Sequence, residues 1–155
     1  MKPKRRIKSN PVELAIMRRY ILEEVASMHR TASLHAYIGD NEPLAVHVIG
    51  RLSYIVCHAA ERLGFGHSPE ARIIAGMASA LGDMGEHVAT LQSQRGALIA
   101  GLAAVDRLLP SLTPDALAEG AFRLNAMLAS PHGLTLKDFQ VLKEQINYPK
   151  LSKKA

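Results

Sequence analysis

The sequence predicts an all-α protein: a compact bundle of five to six helices, with a central helix rich in glycine and alanine and with basic, flexible ends. Three observations carry that expectation. Apolar residues recur at steps of three and four along most of the chain, the period of a single buried helix face. No stretch of useful length alternates apolar and polar residues as a half-buried strand does. Aromatic residues make up only 5% of the chain and tryptophan is absent, so the interior must be filled by Leu, Ile, Val, Ala and Met, which suits closely packed helices. At 155 residues the chain forms one domain, enough to bury roughly two thirds of its unfolded surface without staples.

The first helix is expected from Pro11 to about Ile38. Asn10 is a good N-cap, Pro11 suits the first helical position, and Glu13 stands three residues after the cap. Leu14, Met17, Ile21, Val25, Met28, Ala32 and His35 then mark its apolar face, with Arg19, Glu23, Ser27 and Arg30 opposite. Gly39 to Pro43 supplies the stop and the next start. A second helix follows from about Glu42 to Leu63, its face formed by Val48, Leu52, Ile55, Ala59 and Leu63 and widened by Ile49 and Val56, and Gly64-Phe65-Gly66 ends it.

Ser68-Pro69 opens a third helix. No proline occurs between Pro69 and Leu109, but a single helix of that length would run about 60 Å. Ordinary helix lengths predict a break in the polar stretch from Thr90 to Gly96, giving helices of about Pro69 to Leu91 and Gly96 to Leu109. Thr113-Pro114-Asp115 caps a further helix to about Ala129. Thr135 to Asp138 resembles a capping box that opens a short last helix to about Ile146. Residues 1–9 are thus expected as a basic arm, 10–148 as the helical domain and 149–155 as a basic tail.

Charge is divided unevenly. Lys2, Lys4, Arg5, Arg6 and Lys8 at one end and Lys150, Lys153 and Lys154 at the other are eight positive charges with no acid among them. The other eleven bases face fourteen acids, which leaves the body at −3. Such arms can neutralise the phosphates of DNA or RNA, and as readily serve only solubility. The last two helices could form a helix-turn-helix offering Gln140, Lys143, Gln145 and Asn147, but Asp138 and Glu144 cancel the basic charge that a recognition helix needs. A single cysteine, Cys57, excludes an internal disulfide and fits a reducing, cytoplasmic setting. No apolar leader follows the basic head, and the longest strongly apolar run, Ala97 to Val105, is about half a bilayer crossing, so no membrane partner is expected. Heavy Ala, Leu and Gly usage favours a bacterial origin.

Three internal constellations stand out. His47, Arg51, Tyr54, His58 and Glu61 recur at steps of four and three along the second helix. They form either a ligand-binding or catalytic groove or the solvated shoulder of an amphipathic helix. The third helix is dense in small residues, and each interior glycine costs up to about 1 kcal/mol relative to alanine, which implies close backbone approach. That approach serves either the tight crossing of neighbouring helices or a helix-helix interface between copies, with Leu81, Met84 and Val88 around Gly82 and Gly85. Asp83, Glu86 and His87, with Glu24 or His58, contain carboxylate and imidazole ligands. However, the Glu-x-x-His step of helical carboxylate metal sites occurs nowhere in the chain, so a surface pair explains them better, and no metal or cofactor is indicated. Cys57 and His58 are neighbours and point about 100° apart on a helix, and no nucleophile elbow or phosphate loop is present. The expected function is therefore non-enzymatic: a helical interaction, scaffold or regulatory accessory protein that binds itself, as a homo-oligomer, and another protein. The alternatives are a nucleic-acid-associated regulator using its arms and a ligand-binding or enzymatic bundle using the His47 to Glu61 stripe.

Overall fold

The structure is a computed structural model and describes residues 11–39 and 42–129. The basic ends, the helix expected from Thr135 to Ile146, and with it half of the helix-turn-helix, lie outside the described residues. Within them the chain forms five α-helices and no strand. These are α1 (Pro11–Ile38), α2 (Glu42–Arg62), α3 (Pro69–Gly85), α4 (Leu91–Leu108) and α5 (Pro114–Leu128), with a single 3₁₀ turn, Leu109–Ser111, between the last two.

The helix ends follow the local chemistry. Gly39 (φ +69°) and Gly64 (φ +85°) occupy the left-handed positions that terminate α1 and α2, and Phe65 N–H closes the second of these turns on the Ala60 carbonyl at 2.7 Å. Ser68 and Thr113 cap α3 and α5, their hydroxyls accepting from the N–H groups of Ala71 (3.2 Å) and Ala116 (3.3 Å). The break between α3 and α4 falls earlier than the sequence predicts. α3 ends at Gly85, and α4 begins at Leu91 instead of Gly96. The same terminating turn as at Gly64 recurs here, Val88 N–H bonding to Asp83 O at 2.9 Å and His87 N–H to Met84 O at 3.1 Å, but His87 holds the left-handed position (φ 59°). Thr90 and Ser93 then cap α4 reciprocally, and the Glu42 carboxylate accepts from Leu91 N–H at 2.6 Å.

The helix packed against all the others is α2, not the glycine-rich α3, which packs chiefly on α2 and α4. By length and composition α2 could cross a membrane, but its apolar residues Ile49, Leu52, Ile55 and Val56 form the middle of the core. From the other helices Val25, Ile74, Met77, Leu98, Leu117 and Leu124 close on them. Each such side chain contributes roughly 1.5–3 kcal/mol by leaving water. Ser53, the one polar residue buried among the described residues, donates to Ile49 O at 2.7 Å and is satisfied.

Small residues set the closest approaches. A Cβ on Gly101 would meet Met77 Cβ at 2.4 Å, so α4 lies directly against α3 at that point. Gly120 does the same for α5, where a Cβ would stand 2.9 Å from Ile55 O on α2. Nothing lies within 4 Å of a Cβ built on Gly82. The apolar face of α1 is buried only in part. Ile21, Val25 and Ala32 are inside, Leu14 and His35 are half-buried, and Met17 is exposed.

Candidate functional site

Thirteen large apolar side chains are exposed among the described residues, and eight of them lie on α1. Val12, Ile16, Met17 and Tyr20 crowd its first three turns, each more than 60% exposed, and Leu34, Tyr37 and Ile38 occupy its last two. α1 is buried along one stripe by Ile21, Val25, Ala32 and Ala36, so most of this concentration sits on the faces turned away from the core, Met17 alone continuing the stripe where it is left uncovered. Single exposed apolar residues are ordinary, whereas a run of them on one helix is a candidate interaction surface.

Beside it, the first half of α1 and the length of α5 diverge to leave a groove of about 440 Å³. Leu14, Met17 and Tyr20 form one wall, Ala118, Ala121 and Phe122 the other, and Phe122 is 75% exposed. Arg18 closes the rim with a two-pronged ion pair to Asp115, at 3.2 and 3.3 Å. Both groups are more than half exposed, so the pair orients α1 on α5 more than it stabilises it. A smaller recess of about 190 Å³ continues inward between α1, α2 and α5, with Glu24, Arg51 and Asn125 at its edge. Tyr20 lines both spaces, and its hydroxyl bonds Glu24, whose carboxylate raises the pKa of the phenol.

The stripe on α2 is divided. Arg51 reaches Asn125 Oδ1 at 3.4 Å and His58 approaches Glu119, so these two face α5, and the Tyr54 ring lies parallel to that of His58 with centroids 6.3 Å apart. His47 and Glu61 are exposed and line neither space. His58 belongs to a charge cluster centred on Glu119, which binds Arg62 at 2.7 Å and Arg123 at 3.6 Å. His58 Nε2 is buried without a hydrogen bond, 3.9 Å from that carboxylate. Burial, and next the charge of Arg123, hold the imidazole below its usual range against the opposing pull of Glu119 and Glu61. A neutral imidazole can act as a base, but neither the groove nor the recess includes it, and the nearby thiol is inert: Cys57 is buried and its pKa is pushed up to about 12 by desolvation.

The proposed interface residues of α3 do not share one face. Leu81, Gly82 and Met84 are buried within the chain, while Gly85 and Val88 are exposed. His87 lies beyond the end of α3 with a left-handed backbone, so it does not stand one turn above Asp83. Lys2, Lys4, Arg5, Arg6, Lys8, Lys150, Lys153 and Lys154 are outside the described residues. Sequence reasoning missed the outer face of α1. Its signal was present in Ile16, Tyr20, Leu34 and Tyr37, which interrupt a face that is otherwise polar. Comparison with protein-family models, curated proteins and solved structures finds no match to this chain.

Proposed function

We propose that this protein acts by binding, as a non-enzymatic helical module that joins copies of itself through α1, with the bundle behind α1 as a rigid support. The observation that carries this reading is the placement of eight of the thirteen exposed large apolar side chains on that one helix. Covering a face of this kind removes apolar area from water at roughly 25 cal/mol per Å². The groove beside α1 extends the same apolar surface and could seat a side chain from a partner. The buried, unpaired Cys57 suits the reducing conditions of the cytoplasm.

The test is energy transfer between copies of the full chain labelled separately with donor and acceptor and then mixed. Transfer is expected for the natural chain and lost for Ile16→Glu, whose helical circular dichroism stays unchanged because Ile16 is 63% exposed. Absence of transfer at every concentration of the natural chain would contradict the proposal.

A further inference from the structure

We infer that α1 pairs with α1 of a second copy in antiparallel orientation, about a two-fold axis passing beside Ser27. This rests on the self-association reading and adds its geometry. Along the outer face of α1, residues 16, 20, 23, 27, 30, 34 and 37 follow alternating steps of four and three, the spacing that keeps a seam facing a partner helix. All seven, Ile16, Tyr20, Glu23, Ser27, Arg30, Leu34 and Tyr37, are exposed. The seam spans about 32 Å, three heptads, and lies away from the stripe that α1 buries in its own bundle, with Ile16 and Tyr20 at its edge also lining the groove beside α5.

The order of chemistries along this seam fixes the direction. An aliphatic and aromatic pair stands at each end, one charge of each sign lies inside them, and a small residue occupies the centre. Turned end for end, Ile16 comes opposite Tyr37, Tyr20 opposite Leu34, Glu23 opposite Arg30, and Ser27 opposite itself, where its small side chain lets the helices approach. A two-fold axis makes each of the three unlike contacts twice and the Ser27 contact once. A parallel pair in register sets Glu23 against Glu23 and Arg30 against Arg30, which buries like charges together. Polar groups in such a seam cost stability and specify register. Within one chain Glu23 accepts from Arg19 Nε at 3.0 Å, and Arg19, one turn back, flanks the seam.

Charge exchange in the full chain tests this. Glu23→Arg and Arg30→Glu, made separately, each turn two attractions into two repulsions and raise the dissociation constant of self-association roughly tenfold or more at low salt. An equimolar mixture of the two variants, and a chain carrying both changes, recover the affinity of the natural chain. A single variant that associates as tightly as the natural chain, or a mixture that fails to recover, overturns the antiparallel seam while leaving self-association and its loss in Ile16→Glu standing. A natural chain that shows no energy transfer overturns both.

Discussion

α3 and α4 meet with Gly101 lying under Met77, and no space remains between them for even a methyl group. On the opposite side α1 and α5 stand apart over a groove of about 440 Å³, and α1 turns Ile16, Tyr20, Leu34 and Tyr37 outward. Both sides have apolar residues at helical spacing, so periodicity alone does not distinguish them. The size of the residues does. Small residues mark a seam already closed within the chain, and large residues stand exposed on the outer side of a half-buried helix, where we place the contact with a second copy. Stability is therefore concentrated on the first side, and the proposed association falls on the second.

The strongest way to break this contrast is Gly101→Val. Its Cβ would overlap Met77 Cβ, Cγ and Sδ, all closer than 3.0 Å, and the loss expected in urea unfolding is about 3 kcal/mol. Gly120→Ala is milder, about 1–2 kcal/mol, because one methyl group presses on the Ile55 carbonyl and must separate α5 from α2. An effect below 0.5 kcal/mol for both, on the scale of an ordinary surface change, would show that neither contact is tight. In the link between α3 and α4, His87→Gly relieves a left-handed residue and should raise stability by about 0.5–1 kcal/mol, read as a higher urea midpoint.

A smaller effect concerns His58, on the α5 side of the core. Its folded pKa lies below the ordinary imidazole value of about 6.5, so below that pH the unfolded chain takes up the proton first. The stability contributed by neutral His58 is complete above about pH 6.5 and is lost as the pH falls from there through the folded pKa. Urea midpoints measured between about pH 7.5 and 5 should decline, and His58→Asn should flatten that decline. A His58→Asn profile as steep as that of the natural chain would assign the slope to other groups.

Much of this fold was legible in the residues. Pro11, Gly39, Ser68-Pro69 and Thr113-Pro114 placed helix ends correctly because each acts through its own backbone or its immediate neighbours. The α3 terminus was not legible, because Gly85 falls two residues before the left-handed position and His87, an uncommon residue there, occupies it. The start of α4 depends on a Thr90 and Ser93 pair in place of the usual Glu, and on Glu42 from a distant helix. Met17 fits the apolar stripe of α1 by spacing yet is 64% exposed, because only α5 accompanies the first turns of α1 and it stands away from them. The stripe from His47 to Glu61 divides for a similar reason. Spacing aligns five residues, but α5 lies where Arg51 and His58 can reach it.

Sedimentation equilibrium of three chains, the natural one, Ile16→Glu and Ile73→Glu, tests the division between the two sides most directly. Ile73 is an exposed apolar residue on α3, so it controls for any loss of surface hydrophobicity. The natural chain and Ile73→Glu should both sediment well above the 16.8 kDa of one chain, and Ile16→Glu at that mass. A natural chain that sediments at 16.8 kDa throughout, or an Ile16→Glu chain as heavy as the natural one, would contradict the assignment of association to α1.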